Sequence, residues 1–279
     1  MTDNEQDMRV IEAEHEAYNA TLVRREDDTS DLASFWVRYD GEPVPFEPGQ
    51  YMTTGVFVDG KLLQRPYSVA SSPRRAADGY EFYVRLVPVM RFTTALWRLP
   101  VGQRMRMIGP KGRFMLEPDD DRTHLFVSTG TGIAPFISMM RTLLIDGRPR
   151  PVVMLNGVSY AHDLGYRPLL EDWQRSGEYP VTYVPTVSRP DDPANGGWSG
   201  HTGRVEGVVM DVCRDLELRP EKTVVYICGN PEMILNVEAQ LIAAGFPEFH
   251  VKKELYWPKG KSPAPAEMVG ASTGSGTGA

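Results

Sequence analysis

The stretch His124-Leu125-Phe126-Val127-Ser128-Thr129-Gly130-Thr131-Gly132-Ile133-Ala134-Pro135 decides the fold of this chain. An apolar strand over His124–Ser128 runs into a turn carrying two glycines, and the turn runs into a helix with an apolar face. Glycine lets backbone approach a ligand, and the free N–H groups of a helix start favour a phosphate. The same string also serves as a plain tight strand-to-helix connection. It is not Gly-x-Gly-x-x-Gly, so the fingerprint of ordinary dinucleotide dehydrogenases is absent.

Downstream the alternation repeats. Strands are predicted at Val152–Asn156, Val181–Pro185, Val224–Cys228 and Phe249–Lys252, with helices at Pro135–Ile145, Leu169–Arg175, Val205–Leu216 and Pro231–Ala244. Strands that alternate with helices imply βαβ units and a parallel sheet, whose ligands bind at the carboxyl ends of the strands. Upstream, from about Tyr18 to Leu116, the pattern changes to short strands broken by turn residues. They are predicted at Leu32–Tyr39, Tyr51–Val58, Tyr67–Ala70, Tyr80–Val87 and Met105–Ile108, with one helix at Phe92–Leu99. That spacing suggests an antiparallel sandwich or barrel. Two domains suit 279 residues. The divisions expected are an arm at 1–17, a barrel at 18–117, an α/β domain at 118–257 and a Pro/Gly/Ser/Thr-rich flexible tail at 258–279.

Composition narrows the function. A net charge of −7 argues against a general nucleic-acid binder. No run approaches the apolar length of a membrane span, and the acidic N-terminus lacks a signal-peptide pattern, so a cytoplasmic protein is expected. The two cysteines, Cys213 and Cys228, are too few for an iron–sulfur cluster, and the five histidines show no ligand spacing. No protein metal site is expected.

Three further strings carry candidate chemistry. Arg65-Pro66-Tyr67-Ser68 offers a guanidinium fork for a diphosphate and a tyrosine two residues on, on the same strand face. Cys228-Gly229-Asn230-Pro231-Glu232-Met233 ends a strand in a turn, with proline as a first helical residue and a small thiol either buried or presented to a cofactor. Glu254-Leu255-Tyr256-Trp257 closes the ordered sequence with two aromatics that either plug a core or cover a ligand.

In this order and spacing the four strings resemble the ferredoxin–NADP(+) reductase family, in its bacterial ferredoxin/flavodoxin reductase branch, over about Tyr18 to Trp257. The resemblance implies an N-terminal antiparallel β-barrel that binds FAD and a C-terminal α/β parallel-sheet domain that binds NADP. It implies that Arg65 contacts the FAD diphosphate, that Tyr67 stacks on the isoalloxazine and that Ser68 lies near flavin N5. Thr93 and the Thr94 N–H would meet a phosphate, although Met90 replaces the glycine usual in that turn. Thr129, Gly130, Thr131 and Gly132 match the coenzyme pyrophosphate turn, and Cys228, Gly229 and Met233 the nicotinamide side. Tyr256 would cover the second flavin face and Trp257 the adenine. Ser68, Cys228, Glu254 and Tyr256 would shape the reacting pocket, with Glu254 relaying a proton.

Selectivity for NADPH over NADH needs cations at the 2′-phosphate. The family's arginine after the second strand is replaced by Ser159, while Arg189 and Arg204 remain and Arg167 is a possible substitute. The implied activity is hydride transfer between NADPH and flavin, with single electrons passed to or from ferredoxin or flavodoxin. Those carriers are acidic, so docking calls for a local basic patch drawn from Arg74, Arg75, Arg91, Arg98, Lys111, Arg113, Lys252 and Lys253. A monomer is expected. The alternatives are the reductase component of an oxygenase system and a non-catalytic flavin-binding electron-transfer subunit.

Overall fold

The structure is a computed structural model that describes residues 16–255. Expectations placed on residues 1–15, on Tyr256 and Trp257 and on the 258–279 tail lie outside the described residues.

The first half is a six-stranded antiparallel sheet in the order β4-β3-β6-β1-β2-β5. Its strands are β1 Ala20–Thr29, β2 Leu32–Tyr39, β3 Tyr51–Val58, β4 Lys61–Ser68, β5 Tyr80–Arg85 and β6 Arg104–Lys111. A bridge between Val69 and Phe82 joins the end of β4 to β5 and closes the barrel. Helix α1, Arg91–Arg98, enters from Met90, whose φ of −97° demands no glycine. The backbone path expected to need glycine is therefore open to methionine. Phe35, Phe82, Phe92 and Met105 are among the side chains filling the interior.

The charged stretch Arg24-Arg25-Glu26-Asp27-Asp28 within β1 gave no strand signal, yet it is paired along its length with β2. Its guanidiniums lie on rings: Arg24 is 4.3 Å from the Trp36 centroid, and Arg25 is 4.8 Å from that of Trp97. Cation–π contact and stem packing let an arginine act as half of an apolar surface.

The second half is a six-stranded parallel sheet in the order β10-β9-β8-β7-β11-β12. Its strands are β7 Thr123–Thr129, β8 Val152–Val158, β9 Val181–Val187, β10 His201–Thr202, β11 Thr223–Cys228 and β12 Val251–Glu254. The helices are α2 Ala134–Ile145, α3 Arg167–Ser176, α4 Val205–Asp215 and α5 Pro231–Ala243. Alternation along β7 sends Leu125 and Val127 to one core and Phe126 to the other. The chain steps from β7 outward to β8 on one side and returns to β11 on the other, so the strand order reverses at β7. That switch point is where such sheets open a crevice. One apolar cluster crosses between the halves, holding Leu32, Ala70, Tyr83 and Phe114 of the barrel with Phe136 and Met139 of α2. Among the described residues no helix is long and apolar enough to cross a membrane.

Candidate functional site

The turn after β7 sits where the two halves meet. Gly130 has a φ of +51°, and a Cβ built on it would point into open space, so its backbone faces an empty cradle. Gly132 does something else. A Cβ there would lie 2.5 Å from the Cys228 carbonyl oxygen and 2.6 Å from Gly229 Cα, so it lets the turns after β7 and β11 pack backbone to backbone. Thr129 Oγ1 accepts a hydrogen bond from the Asn230 N–H at 2.8 Å, which ties these turns again. Asn230 caps α5 through its side chain, accepting from the Glu232 and Met233 N–H groups.

A cleft opens along the carboxyl ends of β7, β8 and β9 and is lined by Thr129, Ser159, Arg189, Arg204, Asn230 and Met233. The structure thus brings Thr129, Met233 and both expected arginines to one place. Arg189 donates to the Tyr160 hydroxyl at 2.6 Å, and Tyr160 stacks on His162 at 5.4 Å. The Arg204 side chain is 74% exposed, its nearest carboxylate being Glu206 at 3.9 Å. Arg167 does not join them: it pairs with Glu171 at 2.6 Å and lies over Trp198, so it is not a substitute for the missing arginine. Cys228 takes the buried one of the two alternatives its string offered. Its side chain is fully buried in the cluster that holds Ile133 and Ala134, and from this turn the cleft is lined by Asn230 and Met233.

A second cleft lies on the barrel side and is lined by Arg65, Tyr67, Ser68 and Met90, with Thr131 and Ala134 from the other half. The Tyr67 ring leans on Phe92 at 5.9 Å and Phe82 at 6.4 Å, and burial raises its phenol above the ordinary value. Arg85 enters the same cleft while bridging Asp31 at 2.8 Å and Asp163 at 2.7 Å, an ion pair across the two halves that sequence reading missed. Thr93 lines the cleft, but its hydroxyl turns inward, accepting from the Val87 N–H and donating to the Val87 carbonyl at 2.9 Å. The Thr94 N–H is likewise committed, to the Met90 carbonyl at 3.1 Å. The open amides of the first turn of α1 are therefore those of Arg91, Phe92 and Thr93.

Ser68 and Glu254 meet across the halves. Register places Glu254 opposite Cys228 at the end of β12, and Ser68 Oγ donates to Glu254 Oε2 at 3.2 Å. Burial pushes the Glu254 carboxyl up to about 7, and the serine hydrogen bond pulls the other way. A Cβ on Gly112 would sit 3.5 Å from Glu254 Oε1, and the exposed Lys111 and Arg113 flank that glycine. Of the other cations considered for a patch, Arg74, Arg75, Arg91, Lys252 and Lys253 are ion-paired with Asp146, Asp78, Asp59, Glu117 and Glu238. Among the described residues Arg98, Lys111 and Arg113 are the candidates that carry no ion pair.

A flat redox ring with a diphosphate fits this chemistry. The barrel cleft offers a ring, a hydroxyl and a guanidinium, and the neighbouring Gly130 leaves open space beside the turn. Among the described residues no cluster of side chains fit for a metal ion occurs.

Comparisons with known proteins agree. Residues 19–116 match the oxidoreductase FAD-binding domain, and residues 126–239 match the oxidoreductase NAD-binding domain. Ferredoxin–NADP reductase B of Sorangium cellulosum is 33% identical over 225 residues, covering 78% of this chain and 88% of the relative. The phenol hydroxylase P5 protein of Acinetobacter pittii is 29% identical over 78% of this chain and 59% of its own length. Among solved structures, a ferredoxin NADP+ reductase from Neisseria gonorrhoeae with bound FAD and NADP superposes with a TM-score of 0.74 at 22% identity. It covers 86% of this chain and 99% of that one, a likeness of fold.

Proposed function

The chain belongs to the ferredoxin–NADP reductase family, and from that premise we propose that it oxidises NADPH through bound FAD and delivers electrons singly to a small acidic ferredoxin or flavodoxin. One observation carries this reading. The two clefts share a single turn, with Thr129 lining the coenzyme side and Thr131 and Ala134 lining the flavin side. A dinucleotide laid along the sheet therefore ends against whatever the barrel holds. We keep the division at 18–117 for the flavin half and 118–257 for the coenzyme half.

FAD, when bound, supplies the chemistry, taking a hydride from the nicotinamide and releasing electrons one at a time. The protein supplies orientation and charge. Arg65 and the open amides of α1 hold the diphosphate, and Tyr67 presents its ring to the isoalloxazine. Ser68 is held by Glu254, which keeps a share of its protons at neutral pH and so can hand one over at Oε1 or Oε2. Arg189 and Arg204 bind the 2′-phosphate, with the Ser159 hydroxyl in the position of the missing guanidinium. Lys111 and Arg113, beside the Glu254 end of the site, steer the acidic carrier.

The match to the phenol hydroxylase P5 protein supports a second reading, the reductase component of an oxygenase. It uses the same clefts and differs in the acceptor. Stopped-flow bleaching of the flavin-loaded protein by NADPH and by NADH tests the reading. Bleaching is expected with both, faster at low concentration with NADPH. A protein that takes up no FAD, or whose FAD is not bleached, overturns it.

A further inference from the structure

Beside the apolar contacts of Phe136 and Met139, α2 carries a polar strip that meets the barrel. Ser138, Arg141 and Thr142 share that strip by helical spacing. Ser138 Oγ donates to the Ser71 carbonyl at 2.7 Å, and Arg141 donates to the Ala70 carbonyl at 3.1 Å. The Thr142 and Ser72 hydroxyls lie 2.9 Å apart. At the centre stands Glu81 of β5, only 3% exposed. It pairs with Arg141 and accepts from the Tyr166 hydroxyl at 2.7 Å, both from the coenzyme half, and from Ser34 Oγ of the barrel at 3.3 Å. Its own backbone is stitched to the same segment: its N–H donates to Ser71 Oγ and its carbonyl accepts from the Ala70 N–H.

Placement gives this seam its meaning. Ala70–Ser72 begins two residues after Ser68, and α2 begins directly after the Thr129–Ile133 turn. The seam therefore bolts the flavin strand to the helix that carries the coenzyme turn. Apolar contacts tolerate sliding, whereas hydrogen bonds between buried partners have one register, because any other leaves groups unsatisfied. A buried carboxylate is a costly way to gain stability alone, since apolar residues of similar volume often serve as well. From Arg141 back to Ala134 is about 10 Å of helix, so a tilt of about 5° at the seam moves the turn by about 1 Å. Hydride transfer needs donor and acceptor at about 3–3.5 Å, and an error of about 1 Å costs on the order of a hundredfold.

We propose that Glu81, clasped by Arg141 and Tyr166, is a positioning residue for hydride transfer, and that the seam it anchors sets the coenzyme turn against the flavin strand. The proposal rests on the reading of the chain as an NADPH-oxidising flavoprotein. Tyr166→Phe and Ser138→Ala, alone and together, test it without removing a charge, and Tyr166→Phe keeps the ring that packs on Tyr83 at 4.7 Å. In the FAD-loaded variants, affinities for FAD and for 2′,5′-ADP should stay within about twofold of wild type. The charge-transfer absorbance on adding NADP+ should weaken, and the limiting bleaching rate should fall about tenfold in the single variants and about a hundredfold in the double. An unchanged band and rate overturn the proposal. So does a rate that falls only in step with lost FAD or a lowered unfolding temperature, since that is a purely structural role.

Amide hydrogen exchange separates this from a failure of the parent reading. In flavin-free protein the double variant should exchange faster at residues 130–134 than wild type, and equal exchange there overturns the seam whatever the activity. Wild-type protein that binds no FAD but shows this exchange difference overturns the functional reading and leaves the seam standing.

Discussion

Glu254→Gln is the perturbation whose size the structure sets most directly. The carboxyl is half-buried beside Ser68, and desolvation raises its titration from an ordinary 4.5 to about 7. A raised carboxyl means that the folded protein binds the proton more tightly than the unfolded chain does. Wild-type stability is then undiminished below about pH 4.5 and is lost as pH climbs toward 7, where the half-buried group must ionise. The full loss corresponds to about 3 kcal/mol, reached by pH 8, with only about 1 kcal/mol of it present at pH 5. Glutamine keeps the shape and an acceptor for Ser68 but never ionises. The variant should therefore unfold at higher guanidinium than wild type at pH 8, with a difference that shrinks steadily toward pH 5. Flavin-stripped protein is the right sample, so that coenzyme binding does not enter. A difference that is constant from pH 5 to 8, or that grows toward acid, refutes the placement of an ionising carboxyl in that pocket.

Arg189→Ala should raise the KM for NADPH about tenfold to a hundredfold, the worth of a charged hydrogen bond, while the KM for NADH stays within about twofold; steady-state assays with both coenzymes check it. Gly132→Ala drives a Cβ to 2.5 Å from the Cys228 carbonyl oxygen. It should cost about 1–3 kcal/mol and weaken 2′,5′-ADP binding in calorimetry while FAD affinity holds. Reduction of an acidic ferredoxin should slow as salt rises from 20 to about 300 mM, and Lys111→Glu with Arg113→Glu should flatten that dependence without changing reduction of a neutral dye.

What was legible in the sequence was local. The strand–turn–helix after β7 and the Asn230–Pro231 start of α5 were readable because glycine, asparagine and proline dictate backbone within a few residues of themselves. The apolar, β-branched and aromatic runs of β2, β3 and β5 were readable as strands because turn residues separate them. Strand β1 was hidden because its arginines lay their guanidiniums on the Trp36 and Trp97 rings, a contact no hydropathy pattern records. The Thr93 hydroxyl bonds to the Val87 N–H and carbonyl, an orientation its sequence does not mark, since a hydroxyl on a helix start turns either toward a ligand or back toward its own chain. Arg167 carried its warning in the open, with Glu171 four residues on along the same helix.

The partners that matter most between the halves are far apart in sequence. Glu81 meets Arg141 and Tyr166, Arg85 meets Asp163, and Ser68 meets Glu254. None of these pairs has a spacing that marks it, because each is created by two separately folded sheets docking on one apolar cluster. The strings that name the cofactors are therefore readable one domain at a time, while the geometry that lets one cofactor reach the other is written only in the docking. On the proposal above, the rate of this chain depends on residues outside all of those strings. Tyr166 lies in no such string, and its hydroxyl reaches the other half of the molecule through its hydrogen bond to Glu81.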